Sequence, residues 1–489
     1  MKRRDFLKIS AIASIYILTG CESKKGNCDK ENKNLSSTDN KDGLILENNL
    51  NIPTLLNPEL ENGVKVFNLN IEERTHQFYK GVETKTYGID STFLGPTLLL
   101  RDGENVKINY NNRLNETTTI HGHGMHVPAN MDGGPHQKIG VGQSWSAEYQ
   151  VNQRASTNWY HPHLMGKTAE HVYKGLAGLI IIEDSESDNL NIPNIYGVDD
   201  IPLIVQDRIF SNFQFDYSPS KREIMHGYRG DIFIANGQIS PNFSAKAGLL
   251  RIRILNGSNA SLYKFSLSDS SQFYQISTDN SFLEKPVKLS SVTLSPAERG
   301  EIIIDLSQKA GKTIKLNLVE MIDGRSSDIL NIYVEDELAE YQYIPEKLTS
   351  LPDLDYQNAT HIRKFVLDGS GNGGDPELTI NGKVMSMGRV DEIIPLNQLE
   401  IWEVENKMGM DHNFHIHATH FRIIDRDGDI NRVAENEKGF KDVVYLKPNS
   451  RVRLLVKMVD YTDSKLPYMY HCHFLEHEDK GMMGQFTVV

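Results

Sequence analysis

The segment at residues 471–483, "HCHFLEHEDKGMM", places Cys472 between two histidines and continues with a third histidine and two methionines. The preceding residues, "LPYMY", are apolar or aromatic and predict a β-strand that enters a loop. Because successive side chains of a strand point to opposite faces, we expect His471 and His473 on one face and Cys472 on the other. Two histidines, one cysteine and a distant methionine are the ligands of a blue-copper site. The segment therefore predicts two adjoining metal sites. The alternative is a buried structural cysteine among surface histidines.

The other histidines support the metal interpretation because they are clustered. Ten of the 17 histidines lie in four short segments. These are "HGH" (His121, His123), "HPH" (His161, His163), "HNFHIH" (His412, His415, His417) and "HCHFLEH" (His471, His473, His477). If His412 and His477 belong to the site of Cys472, eight remain for a polynuclear centre. Imidazole, thiolate and thioether suit copper, whereas structural zinc sites close at four ligands and are usually rich in cysteine.

These segments, two early and two late, resemble the multicopper oxidase family over roughly residues 60–489. That family includes laccases, ascorbate oxidase, bilirubin oxidase and the bacterial copper-efflux oxidases. The resemblance implies four copper ions with an assigned ligand set. It implies type 2 ligands His121 and His415, type 3 ligands His123, His161, His163, His417, His471 and His473, and type 1 ligands His412, Cys472, His477 and axial Met482. Gly122 stands where the family usually has an aromatic residue.

The resemblance also implies a reaction: one-electron oxidation of a substrate coupled to four-electron reduction of dioxygen to water. Asp132 and Glu478 match the catalytic acids that deliver protons in the family, and each lies beside a histidine segment. Asp132 also suits a turn before two glycines, and Glu478 suits a solvated charge, so both structural alternatives stay open.

The substrate is predicted from "KMGMDH", which places Met408, Met410 and Asp411 directly before His412. Soft thioethers select monovalent copper, so we expect cuprous ion as the substrate, with Met385 and Met387 as further candidates. Packing is the alternative role of these methionines. A phenol-oxidising laccase stays open because the chain lacks the long insertion, rich in methionine and histidine, of many copper-efflux members. A copper-free structural relative in the cell envelope and a nitrite reductase or electron-transfer cupredoxin fit the complete ligand set less well.

The remaining sequence predicts an all-β fold of three cupredoxin-like Greek-key β-sandwich domains. Three segments repeat a polar turn, an alternating apolar strand and a closing asparagine, at Asn111, Asn256 and Asn406. We expect domain 1 at 46–190, domain 2 at 191–335, a linker at 336–357 and domain 3, with the type 1 copper, at 358–489. Domain 2 contains His226 as its single histidine and no cysteine, which predicts a spacer without copper ligands.

The N-terminus predicts export. Residues 1–21 contain twin arginines, a short apolar run and "LTGC", which resembles a Tat-type signal ending in a lipoprotein box at Cys21. Polar residues 22–45 predict a flexible tether that includes the unassigned Cys28. We therefore expect a periplasmic or cell-envelope protein with a lipid anchor. The formal net charge of -13 and the lack of a basic stripe argue against nucleic acid as a partner.

Overall fold

The structure is a computed structural model that describes residues 48–353, 355–370 and 375–489. The predicted export signal at 1–21, with Cys21, and the tether at 22–45, with Cys28, lie outside the described residues. Within the described ranges, no helix is long and apolar enough to span a membrane.

The first sandwich carries two of the four histidine segments. In chain order it contains β1 (Glu59–Glu61), β2 (Val64–Tyr79), β3 (Val82–Ile89), β4 (Leu98–Arg101), β5 (Asn105–Asn112), β6 (His121–His123), β7 (Ser144–Gln150), β8 (Ser156–His161), α1 (Thr168–Lys174), β9 (Gly178–Glu183) and α2 (Ser185–Asp188). One sheet has the order β1-β2-β5-β7, with β3 paired to β2, and the other has the order β4-β9-β8-β6. Burial alternates along β5, as expected for a strand with one face on the core.

The second sandwich begins with β10 (Asp200–Arg208), β11 (Phe210–Ser211), β12 (Gln214–Phe215), α3 (Lys221–His226), β13 (Ile232–Ala235), β14 (Asn242–Ala247) and β15 (Leu249–Asn256). It continues with β16 (Tyr263–Leu267), β17 (Phe273–Ser277), β18 (Phe282–Leu289), β19 (Ser291–Leu294), β20 (Arg299–Asp305), β21 (Thr313–Glu320) and β22 (Ser326–Leu338). The sheets have the orders β13-β10-β15-β20-β17-β18 and β14-β22-β21-β16-β19, and β11 and β12 form a hairpin. Strand β22 runs past position 335, the predicted end of this domain.

The third sandwich contains the other two histidine segments. Its elements are β23 (His361–Ser370), β24 (Glu377–Ile380), β25 (Glu392–Ile394), β26 (Leu399–Asn406), β27 (His412–Ile416), β28 (Phe421–Arg426), β29 (Val443–Leu446), β30 (Arg451–Lys457), β31 (Asp463–His471), α4 (Leu475–Asp479) and β32 (Met483–Val488). The sheets have the orders β24-β23-β26-β30-β28 and β25-β32-β31-β27-β29. Short 3-10 helices lie at Ala129–Met131, Tyr356–Asn358, Ile430–Arg432 and Glu435–Glu437.

The three sandwiches repeat one strand arrangement, and the predicted all-β fold is confirmed. Strands β5, β15 and β26 each pair in parallel with one neighbour (β2, β10, β23) and antiparallel with another (β7, β20, β30). These are the strands of the three repeats that the sequence predicted.

One register of the predicted repeat was wrong. The asparagine equivalent to Asn256 and Asn406 is Asn112, not Asn111. Each of the three accepts a hydrogen bond from the backbone N–H two residues later and donates to backbone carbonyls of a neighbouring turn. Asn111 is only partly buried and bonds Ser144 on the adjacent strand. Because side chains alternate along a strand, the side chain one position away from the buried asparagine lies on the opposite, more exposed face.

Candidate metal centre

Strand pairing assembles the histidines. Strand β6 pairs with β8 so that His121 lies opposite His161, and β27 pairs with β31 so that His415 lies opposite His471. His121 and His123 both lie on β6, so the alternation of that strand turns them to a common side, whereas the other three H-x-H pairs extend past the ends of β8, β27 and β31. All eight histidines predicted for the polynuclear centre are at most 1% exposed, and their rings contact one another between the first and third sandwiches.

The eight histidines divide into three sets. In the first set, the Nε2 atoms of His163 and His417 lie 3.1 and 3.2 Å from Nε2 of His471. In the second set, Nε2 of His161 lies 3.3 Å from Nδ1 of His123 and 3.4 Å from Nε2 of His473. The third set is His121 and His415, whose Nε2 atoms are buried without a hydrogen-bond partner.

The donor chemistry of this cluster fits a metal. Four of the rings donate from Nδ1 to a backbone carbonyl, an acceptor only: His121 to Asp132, His161 to Pro162, His415 to Asp442 and His471 to Cys472. Burial, the largest cause, lowers the pKa of all four, to about 4 for His121 and about 3 for His471. Each ring is therefore neutral, and its Nε2 presents a bare lone pair to the cluster. Converging lone pairs of this kind suit a bound cation.

A second donor set lies at Cys472. Its Sγ is 3.4 Å from Nδ1 of His412 and 3.5 Å from Nδ1 of His477, and all three side chains are buried. His477 donates from Nε2 to the carbonyl of Met225, so its Nδ1 lone pair points to the sulfur. Burial raises the pKa of the Cys472 thiol to about 12, so a thiolate here depends on a bound cation. Two imidazoles and one cysteine within reach of one another form a donor set that could hold a metal ion and that suits copper.

The two methionines after His477 point into different parts of the third sandwich. Met482 is buried in the hydrophobic cluster that contains Cys472, and its carbonyl accepts a hydrogen bond from the Cys472 N–H at 3.1 Å. Met483 packs instead with Met385, Met387 and Met469. Met482 is therefore the methionine that shares a cluster with Cys472, and its axial role stays a prediction.

The two predicted acids each contact a pair of cluster histidines. Asp132 Oδ2 lies 2.8 Å from Nδ1 of His417, and its Oδ1 lies 3.5 Å from Nδ1 of His121. The Glu478 carboxyl oxygens lie 3.3 Å from Nδ1 of His163 and of His471. Burial raises the pKa of both acids well above the usual range. Glu478 is 1% exposed, so the alternative of a solvated surface charge does not apply to it.

The predicted substrate residues are separated by the fold. Met410 and Asp411 line a cavity of about 460 Å³ together with Glu223, His226, Arg229 and Phe474. The Phe474 ring stacks on His477 with 5.3 Å between centroids, so one wall of the cavity contacts a ligand of the Cys472 site. Met408 is 7% exposed, and its Sδ lies 3.2 Å from Nε2 of His412.

Sequence reasoning missed the residues that the middle sandwich and distant loops supply. Met225, on α3, accepts the hydrogen bond of His477, and Asp442 contacts both His123 and His415. The capping box of Ser220 and Glu223 could have located α3, but no local signal indicates what that helix contacts.

Several known proteins are similar to this chain in sequence. Family models described as multicopper oxidase match residues 70–187 and 348–489. A multicopper oxidase, mco, of Staphylococcus aureus is 38% identical over 93% of this chain and 94% of its own length. The cell division protein FtsP of Xenorhabdus nematophila is 32% identical over 90% of this chain and 92% of its own.

A solved structure extends the comparison. The crystal structure of a multi-copper oxidase from Pediococcus acidilactici matches with a TM-score of 0.83 and 32% identity, covering 91% of this chain and 92% of that one. The sequence identity to the Staphylococcus relative extends over nearly the whole chain and shows the family of this protein. The strand order and the histidine cluster agree with that assignment. The chain belongs to the multicopper oxidase family.

Proposed function

We propose that this protein is a copper-dependent oxidase that takes electrons from cuprous ion and reduces dioxygen to water. The observation that carries the proposal is the backbone link between two complete donor sets. Cys472 belongs to one set, and its chain neighbours His471 and His473 belong to the other. In the proposal, His412, Cys472, His477 and Met482 hold the type 1 ion, and the eight clustered histidines hold three further ions. Copper held by these residues would supply one-electron chemistry at the Cys472 set and four-electron chemistry toward dioxygen at the histidine cluster.

The chain itself holds both donor sets in place. The Asn413 side chain accepts a hydrogen bond from the His473 N–H at 2.6 Å and lies 3.7 Å from Cys472 Sγ, so one amide orients the segment that joins the sets. The reduction of dioxygen to two molecules of water consumes four protons. Asp132 and Glu478 both contact the histidine cluster, and burial favours their protonated form. We assign proton delivery to these two acids.

The cavity beside Phe474 supports cuprous ion as the substrate. Its wall combines the thioether of Met410, the imidazole of His226 and the carboxylates of Asp411 and Glu223. Thioether and imidazole bind monovalent copper, and the carboxylates favour release of the divalent product into water. Met408 is buried against His412, so in this proposal it packs the Cys472 site, while Met410 and Asp411 receive the substrate.

Replacing Met410 by serine tests the substrate. We expect oxidation of cuprous ion to fall about tenfold, the loss of one soft ligand, while oxidation of a bulky phenol changes little. Met387→Ser is the matched control, because Met387 is also partly buried but packs with Met385 and Met483. Oxygen uptake with each reductant measures both rates. Equal loss of both activities, or of neither, contradicts a cuprous site at Met410.

Phenol oxidation is the second candidate function. A cavity of about 460 Å³ is within the range of small-molecule sites, and the aromatic ring of Phe474 offers a stacking surface. The same pair of rate measurements distinguishes it: a laccase oxidises the phenol faster than cuprous ion and is indifferent to Met410. The FtsP relative is described as a cell division protein. The alternative of a copper-free structural role predicts a colourless protein that binds no copper.

The axial position gives a further prediction. We expect Met482→Leu to keep the blue colour and to raise the reduction potential of the Cys472 site, because an axial thioether donates weakly to the metal. Met483→Leu, the same exchange one residue away, should leave the potential unchanged because Met483 packs in a different cluster. Redox titration of the blue band measures both. A shift in Met483→Leu and none in Met482→Leu would move the axial role to Met483.

We place the protein in the cell envelope on the basis of its N-terminal sequence. The twin arginines and "LTGC" support export and lipid attachment at Cys21. Oxidation of cuprous ion there suits a role in copper tolerance.

A further inference from the structure

One histidine of the cluster is turned the other way round. His123 directs Nδ1 toward the cluster, 3.3 Å from Nε2 of His161, and directs Nε2 outward. The other seven have an Nε2 that meets another cluster histidine or is left without a hydrogen-bond partner: His121, His161, His163, His415, His417, His471 and His473. A ring nitrogen that carries a proton cannot bind a metal, so the outward partner of His123 decides which nitrogen is free.

That partner is Asp442. Its Oδ1 accepts the hydrogen bond from Nε2 of His123 at 3.0 Å, and its backbone carbonyl accepts one from Nδ1 of His415 at 2.8 Å. Asp442 lies just before β29 of the third sandwich, whereas His123 lies on β6 of the first. One residue therefore fixes a histidine from each side of the cluster.

Arg299 of the middle sandwich fixes Asp442 in turn. Its Nη1 donates to Oδ1 at 2.7 Å, and its Nη2 donates to Oδ2 at 2.6 Å, a two-point contact that prevents the carboxylate from rotating. Both side chains are buried completely. Nε of Arg299 also donates to the carbonyl of Thr157, on β8, which ends at His161. The guanidinium thus contacts all three parts of the chain that surround the cluster.

The glycine after His123 makes room for this ion pair. Gly124 has a φ of +82°, and a Cβ built there would lie 2.6 Å from Oδ2 of Asp442 and 2.7 Å from Nη2 of Arg299. A side chain at this position would collide with both partners. The "HGHG" segment therefore keeps a glycine at the place where the ion pair approaches the strand.

We propose that Arg299 and Asp442 are positioning residues that hold His123 in the tautomer with Nδ1 free, and so complete the histidine cluster from the middle sandwich. The inference rests on the proposed function, since it gives the cluster a metal to bind. It assigns the middle sandwich a part in the metal centre beyond that of a spacer. Arg299 acts through Asp442, and Asp442 acts through His123.

The test replaces Asp442 by asparagine, which keeps the shape and removes the charge. The amide can donate to Nε2 of His123 and thereby favour the opposite tautomer. In the copper-loaded protein we expect a weaker near-ultraviolet absorption from the histidine cluster and reoxidation by dioxygen about 10- to 100-fold slower, in the range of losses at residues that orient metal ligands. The blue band and its rate of reduction should not change. Arg299→Lys keeps the positive charge but loses the two-point contact of the guanidinium with Asp442. We expect a smaller change in the same direction.

A second readout uses the metal-free protein. Nitrogen NMR of histidine-labelled protein, with the His123 signal identified from its absence in His123→Gln, reports which ring nitrogen is protonated. We expect protonated Nε2 in the parent and a changed tautomer population in Asp442→Asn. Asp200→Asn is the matched control: Asp200 is also buried and makes a two-point contact with Arg253, at 2.7 Å for both bonds, within the middle sandwich.

The outcomes separate the two proposals. An unchanged His123 tautomer and an unchanged near-ultraviolet band in Asp442→Asn overturn the inference, as does an equal loss in Asp200→Asn. If Asp442→Asn does not fold, the same spectra of Arg299→Lys decide, and a tautomer identical to the parent overturns the inference. A parent protein that binds no copper contradicts the proposed function, while the NMR measurement still decides whether Asp442 sets the tautomer.

Discussion

Replacing Cys472 by serine is expected to abolish the blue absorption and to reduce turnover with every reductant by about a thousandfold or more, equivalent to at least ~4 kcal/mol of activation free energy. A hydroxyl is a poor ligand for a soft metal, and the described part of the chain contains no other cysteine to replace it. Absorption spectra and oxygen uptake measure the loss, and copper analysis should find one ion fewer per chain.

The fold should survive this exchange. Serine has nearly the size of cysteine, and Asn413 Oδ1, 3.7 Å from Sγ in the parent, is close enough to accept a hydrogen bond from the new hydroxyl after a small shift. We expect a thermal transition within a few degrees of that of the metal-free parent. Cys28→Ser makes the same chemical change in the predicted tether and should alter neither colour nor turnover. A variant at Cys472 that stays blue and active would contradict the assignment of the type 1 ligands.

Removing the buried acids should give the second largest effect. We expect Glu478→Gln to slow reoxidation by dioxygen about 100-fold, the usual scale of a lost general acid, while all copper is retained. Asp132→Asn should act in the same direction because Asp132 contacts two other histidines of the cluster, His121 and His417. The rate at which the reduced protein is reoxidised by dioxygen measures the step directly.

Glu476→Gln is the control for this experiment. Glu476 lies on the same helix and is 2% exposed, but it bonds the side chains of Asn259 and Tyr217. It should leave reoxidation close to that of the parent. Reoxidation at the parental rate in Glu478→Gln and Asp132→Asn would remove both acids from proton delivery and leave them with a structural role.

Local patterns predicted the parts of the site that depend on strand geometry. The H-x-H spacing predicted that both histidines of each pair join one cluster; for "HGH" the reason is the period of two of β6, and the other three pairs extend past the end of a strand. The three repeated segments, each with a polar turn, an apolar strand and an asparagine, predicted three similar sandwiches. The prediction was wrong by one residue at Asn111, because Asn111 and Asn112 are adjacent and the sequence repeat alone does not distinguish them.

Contacts between distant segments could not be predicted. His123 and Asp442 are 319 residues apart, and Arg299 and Asp442 are 143 apart. No periodicity links such positions, since only the packing of the three sandwiches brings them together. The middle sandwich was predicted as a spacer because it contains no ligand cluster. The structure shows that it also supplies Arg299, the carbonyl of Met225 that accepts the hydrogen bond of His477, and, on α3, one wall of the cavity beside Phe474.

Copper loading and oxygen stoichiometry, determined on one sample, test the central claim most directly. The chain is loaded with copper, freed of excess metal, and supplied with cuprous ion under a limiting amount of dioxygen. The account predicts four copper ions per chain, an intense blue band with a near-ultraviolet shoulder, and one dioxygen consumed for four electrons without release of hydrogen peroxide. A colourless protein, or one that releases one peroxide for every two electrons, would contradict it.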